Sequence, residues 1–247
     1  GCCSTRTSTS SALSSQREKE RALDVLVRVL QQPDFPKAVV EREKKRLIAA
    51  IREAEADPGT VADKAFYRAV YGTQPYAHDE SGEPAAVAGL ARADLQAFYR
   101  THYSASNAVI ALIGDIDRAE AERIAARIAA GLPPGKVLPA LPRPVAGAGG
   151  IVRVEHPSAQ SHVLVGTVGM ARSDPAFFPL YVGNYVLGGG GFDSRLMHEV
   201  RDKRGYAYSA YSYFLPMGEA GPFQMGLQTK AEQTDDALKV EIGRAHV

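Results

Sequence analysis

The chain has 247 residues, 45% of them hydrophobic, and 29 Lys and Arg against 28 Asp and Glu give a formal net charge of +1. That is enough apolar material for one large or two ordinary domains, and it leaves neither a net field nor a basic, aromatic-interleaved stripe to draw nucleic acid. The longest apolar runs, such as Val163–Met170, fall well short of the roughly twenty residues a membrane helix needs, and the only cysteines, Cys2 and Cys3, are neighbours that can neither staple a loop nor supply a zinc quartet.

Residues 1–16, rich in Ser and Thr, read as a disordered or non-native tail. From Arg17 to Leu30 the apolar residues Ala22, Leu23, Leu26, Val29 and Leu30 recur at helical spacing, and Pro33 stops the run. A second helix follows Pro36 and passes through Val39, Val40, Leu47, Ile48 and Ile51 to the Asp57-Pro58-Gly59 break. Helices are predicted again over Val61–Tyr71, with Gly72 as its C-terminal cap, over Ala93–Tyr103 and over Arg118–Leu132. Between the last two, Ala108–Gly114 is a continuous apolar run of strand length, predicted to be buried on both faces. The stretch 133–150 is rich in proline and glycine without periodicity and reads as a linker, dividing a domain over 17–132 from a second over 151–240.

Beyond the linker, strands are predicted at Ile151–Glu155, His162–Val168, Tyr206–Phe214 and Phe223–Thr229, and helices over Pro175–Leu187, Ser194–Lys203 and from Thr234. Helices and strands mix without regular βαβ alternation, so the expected fold class is α+β, with helices layered on sheets. Residues 241–247 resemble a translated sequencing adapter and are set aside as a non-native tail.

The stretch that carries chemistry runs from Gly188 to Ser209. Four glycines allow a tight turn; Phe192, Leu196 and Val200 then fall four apart on what reads as a buried face, with Ser194, His198 and Arg201 on a polar one. Gly205 ends the helix, and the segment from Tyr206 to Tyr211 alternates as a strand does, so Arg201 and Tyr208 come from adjacent elements and are able to converge on one ligand. Against a phosphate loop, the glycines lack the following Lys-Ser/Thr and the G-x-G-x-x-G spacing. The plainer reading of Arg201 is a surface charge paired with Glu199 or Asp202. His198 reads as a solvated histidine, His156 and His162 lack metal-binding companions, and the charges of Glu41–Arg46 form a solvated helix face.

This block resembles the signature of the second half of pitrilysin/insulinase-type zinc peptidases, an Arg followed by a Tyr seven residues later. The runs Ala65–Gly72, Gln74-Pro75-Tyr76, Leu95–Tyr99 and Ile113–Ile116 resemble the same family, extending the likeness over roughly Arg17 to Val240. The resemblance implies a clamshell of related α+β halves, one holding zinc through H-x-x-E-H and a later Glu, the other supplying Arg201 and Tyr208 to substrate. Tyr208 would be the donor to the developing oxyanion, Arg201 would grip a carbonyl or carboxylate, and Gly189 and Gly190 would line the substrate.

No H-x-x-E-H occurs in these residues, and the register fixed by Ile51-Arg52 and Asp57-Pro58 puts Ala50 where the third zinc ligand is expected, with Glu53 one turn away as the alternative. The expectation is a non-zinc subunit that binds no metal itself. It would pair with a zinc-bearing homologous subunit, or the zinc would lie in an upstream segment of a fused enzyme, and the pair would act on peptides or unfolded polypeptides. A purely structural relative is the competing reading. The resemblance also suggests a bacterial periplasmic or cell-envelope setting.

Overall fold

The computed structural model describes residues 16–147 and 149–245, so most of the N-terminal tail, with both cysteines, and His246 lie outside the described residues. The chain folds as two compact units, one formed by 50–83 with the residues from Leu141 onward and one by the residues before Ala50 with Pro84–Ala140.

The second of these is helical, built from α1 (Gln16–Gln31), the first part of α2 (Lys37–Ala54), α4 (Pro84–Gly89), α5 (Arg92–His102) and α6 (Arg118–Ala130). Leu23 of α1 packs on Ile124 and Ile128 of α6, as the helical spacing of their apolar residues requires. The Gln31 side chain donates to the carbonyls of Arg127 (2.8 Å) and Ile128 (3.1 Å), closing the end of α6. Gly131 leaves room for this contact, since a Cβ there would lie 2.3 Å from the Gln31 side-chain oxygen and displace that side chain. Lys19 pairs with Glu120, and Arg127 with Glu20 and Asp24, along the same seam.

The predicted strand over Ala108–Gly114 joins no sheet. Its backbone finds no ladder partner among the described residues, and Val109 and Ile113 are 96% and 100% exposed where burial on both faces was expected. Ile151–Glu155 likewise runs without a partner strand, with Ile151, Val152 and Val154 exposed. An apolar run supplies the inclination to form a strand, but a sheet needs a neighbour to hydrogen-bond.

The other unit holds α3 (Pro58–Tyr71) and an antiparallel sheet of β1 (Gln160–Val168), β2 (Ala207–Phe214) and β3 (Pro222–Lys230) in the order β1-β3-β2. α3 starts earlier than its apolar pattern suggested. The Asp57 carboxylate accepts from the Thr60 amide at 2.7 Å, and Pro58 sits in the first turn, where its missing N–H costs nothing. One sheet face carries α3: Phe66 packs on Gly166, the Tyr71 hydroxyl donates to the Ala220 carbonyl (3.2 Å), and the Tyr76 hydroxyl accepts from the Glu219 amide (3.1 Å). These contacts group Ala50–Glu83 with the sheet, although the sequence reading placed that segment on the far side of the 133–150 linker.

The opposite face is the core, where Met225 and Leu227 of β3 and Ala207 and Ala210 of β2 meet Leu196, Val200 and Ala237. α7 (Phe177–Asn184) and α8 (Thr234–Ala245) complete the unit. No helix among the described residues is long and apolar enough to cross a membrane.

Glu241 lies in α8 and is 0% exposed, with neither carboxylate oxygen hydrogen-bonded. Burial alone pushes its carboxyl from 4.5 up to about 8. A carboxyl at such a position keeps its proton more readily than one in water. Between those two values the native state holds a proton that the unfolded chain has released, so stability falls as pH rises from about 4.5 to 8. Glu241→Leu should remove this slope and stabilise the protein at pH 8 by on the order of a few kcal/mol. Urea unfolding at pH 5 and pH 8 measures both effects, and an unchanged slope would count against this account of the site.

Candidate functional site

The site is built on the turn that leaves α7. Tyr185–Gly189 continues α7 as a π-helical turn and Gly191–Asp193 forms a single 3-10 turn. The glycines are there for packing. A Cβ at Gly188 would lie 2.4 Å from Ser212 Oγ, one at Gly189 2.6 Å from the Asn184 side-chain nitrogen, and one at Gly190 2.7 Å from the Tyr185 carbonyl. Asn184 locks the turn to β2, donating to the Ser212 carbonyl at 3.1 Å while its own Oδ1 accepts from the Ser212 hydroxyl at 2.7 Å. Gly189 and Gly190, expected to line substrate, are thus first of all positions where the backbone passes too close to its neighbours for a side chain.

Gly191 adopts φ +62° and Ser194 is extended at its helix's N-terminus, with Ser194 Oγ accepting from the Met197 amide at 3.4 Å. Phe192 therefore precedes the cap and does not continue the Leu196 and Val200 face. Those two are fully buried, whereas Phe192 is 65% exposed, correcting its expected place in the core. The sequence held the signal, since Ser194 after a glycine turn is a helix start and residues before it escape the helical period.

From Met197 to Asp202 the helix widens to π geometry, with the Lys203 amide bonding the His198 carbonyl at 3.0 Å. It closes through Gly205 at φ +63°, whose amide reaches the Arg201 carbonyl (2.8 Å), and through the Tyr206 amide on the Val200 carbonyl (3.0 Å). β2 begins at once, and its pairing with β3 slips by one residue between Ala207 and Ala210. This bulge replaces the simple alternation expected of Tyr206–Tyr211. Ala207 and Ala210 both face the core, the Ala210 amide turns to Met197 Sδ (3.2 Å), and Tyr208 is thrown outward at 79% exposure.

Arg201 and Tyr208 do converge. The Arg201 guanidinium carbon lies 5.2 Å from the Tyr208 ring centroid and 4.9 Å from that of Phe192. The plain alternative, a surface ion pair, is not what the neighbours form. The Glu199 carboxylate takes Lys203 (2.8 Å) and Arg204 (2.7 Å), and Asp202 lies 3.6 Å from His198 Nδ1. Among the described residues the Arg201 guanidinium has no hydrogen-bond or ion-pair partner, and the Tyr208 hydroxyl has no hydrogen-bond partner. An arginine with a free fork beside an outward tyrosine hydroxyl can bind and polarise a carbonyl or carboxylate.

Ala50, at the register of the expected third ligand, is an exposed methyl on α2, Glu53 is exposed as well, and no group of three His, Cys, Asp or Glu side chains able to hold an ion occurs among the described residues.

The family model for the peptidase M16 inactive domain matches residues 89–240. The chain belongs to the peptidase M16 family. An uncharacterized zinc protease of Streptomyces coelicolor is 30% identical over 226 residues, covering 89% of this chain and 49% of its own length. The crystal structure of a peptidase M16 inactive domain from Pseudomonas fluorescens superimposes with a TM-score of 0.93 at 38% identity, over 95% of this chain and 57% of that one. The crystal structure of a Helicobacter pylori protease shares the fold, with a TM-score of 0.78 at 17% identity over 92% of this chain and 57% of that one. The M16 chain described here spans about half the length of the curated relatives it matches, and its α+β class is that of its structural neighbours.

The turn that carries Phe192 should tolerate no added methyl at its base. Gly188→Ala, which drives a Cβ to 2.5 Å from the Ser212 amide nitrogen, is expected to destabilise by about 1–3 kcal/mol, read as a lower urea midpoint at unchanged m-value.

Proposed function

We propose that this M16 chain is a substrate-gripping subunit or half, offering Arg201 and Tyr208 to an unfolded polypeptide whose cleavage is completed by a zinc-bearing homologous partner or segment. The single observation that carries this reading is the Arg201 guanidinium, without a hydrogen-bond or ion-pair partner among the described residues, beside the outward Tyr208 ring 5.2 Å away, while the neighbouring cations Lys203 and Arg204 both bond Glu199. The family model's own description, an inactive domain, supports this reading.

In this reading the chain's residues bind, orient and polarise. The N–H edge of Arg201 donates to a carbonyl oxygen of an extended substrate and fixes its register. The Tyr208 hydroxyl donates to the scissile carbonyl oxygen, a bond that strengthens as that oxygen gains negative charge and so favours the transition state over the bound ground state. The exposure of Tyr208 suits a donor that must reach past its own unit to a bound chain. Activation of the attacking water is assigned to the zinc-bearing partner or segment.

The test is a reconstitution with the zinc-bearing homologue from the same genome, using fluorescein-labelled β-casein as the unfolded substrate. Tyr208→Phe should lower kcat by about 100-fold to 1000-fold, the range for losing one oxyanion donor, with the assembly intact by size-exclusion chromatography. An unchanged rate in an intact assembly would overturn the catalytic role of Tyr208, and indifference to Arg201→Ala as well would leave a structural relative as the better description.

A further inference from the structure

An exposed phenylalanine needs a reason, and the core does not supply one for Phe192. Its ring is 65% exposed and lies outside the buried cluster of Leu196 and Val200. Yet the backbone is built to put it there. Gly190 packs under the Tyr185 carbonyl with no room for a Cβ, Gly191 turns at φ +62°, and Ser194 bonds back to the Gly191 carbonyl through both its amide (3.1 Å) and its hydroxyl (2.8 Å). Within that rigid turn the cation near the Phe192 ring is Arg201, whose guanidinium carbon is 4.9 Å from the ring centroid.

We propose that Phe192 is a positioning residue for Arg201, its ring holding the guanidinium against the Tyr208 side of the site with the N–H edge free for a polypeptide carbonyl. The chemistry follows from the shape of the group. A guanidinium carries its five N–H donors in its plane and meets an aromatic ring through its face, so ring contact and carbonyl binding do not compete. A carboxylate in the place of Phe192 would hold the charge more strongly but would occupy some of those donors, as Glu199 occupies one nitrogen each of Lys203 and Arg204. An unrestrained arginine has many rotamers to lose on binding, and the ring removes part of that loss before the ligand arrives. Phe192 touches no reacting atom and acts only through Arg201.

The functional arm rests on the reading of Arg201 given under Proposed function, so the test separates the two. The Nε–Hε resonance of Arg201 is followed by NMR in the 247-residue chain, in Phe192→Leu and in Phe192→Tyr, with Arg201→Ala assigning the signal. Binding of fluorescein-labelled β-casein to the same proteins is read by anisotropy, and circular dichroism checks folding. Loss of the ring current in Phe192→Leu should move the Hε signal toward its position in free arginine and weaken casein binding about 3-fold to 5-fold, the scale of one exposed cation–π contact. Phe192→Tyr, which keeps a ring, should restore both. An Hε signal unmoved by Phe192→Leu overturns the proposal, as does a signal that Phe192→Tyr fails to restore. If the signal moves as expected while casein binds none of the proteins, the positioning role stands and the polypeptide-gripping reading fails.

Discussion

β3 is the strand with hydrogen-bonded neighbours on both sides, paired over its whole length with β1 and, across one bulge, with β2. Everything that matters at the site is measured from it. Met225 and Leu227 on its core face give Leu196 and Val200 a surface to bury against, which fixes the helix carrying Arg201 one residue after Val200. Its pairing with β2 makes the extra residue between Ala207 and Ala210 a real displacement, because the ladder on either side cannot shift to absorb it. Were β2 free to slide, Tyr208 would alternate into the core or out of it with no fixed relation to Arg201.

The electrostatics add a second layer. Arg201, Lys203 and Arg204 stand close together in sequence, and one buried acid, Glu199, lies among them. Its two carboxylate oxygens are used by Lys203 and Arg204, the latter also donating to the Glu199 carbonyl at 2.8 Å. Arg201 is held by rings instead of by charge, which fixes its place without spending its donors. Of the three cations, two are thus tied to Glu199 and the third, half-buried, is stacked on rings.

Much of this was legible in the residues. The Arg201-to-Tyr208 spacing, the glycine turn and the three strands that form the sheet all follow from patterns with a direct physical cause, alternation for the strands and left-handed backbone for Gly205. What escaped depends on partners that local pattern does not encode. The bulge at Tyr208 arises from the pairing of β2 with β3, and no feature of Ala207–Ala210 by itself announces it. Phe192 was drawn into the helical period because its spacing from Leu196 fits, although Ser194 as a cap already placed it outside. The apolar run Ala108–Gly114 has the composition of a buried strand, and composition is silent on whether a neighbouring strand is present. Glu241 shows the converse, an ionisable residue at a fully buried position, which spacing along the chain does not announce.

That unpaired run has a consequence for anyone handling these 247 residues by themselves. Val109 and Ile113 stand bare on a backbone whose hydrogen-bonding groups have no ladder to join among the described residues. Such a segment is a template for strand addition by the same segment of another molecule, and nothing between Ala108 and Gly114 carries the charge or proline that ordinarily discourages it. Where such addition takes place, loss of protein from solution depends on concentration and time as well as on the folding equilibrium. A melting temperature taken from a heating scan would track how fast molecules collide and stick, and would shift with the rate of heating.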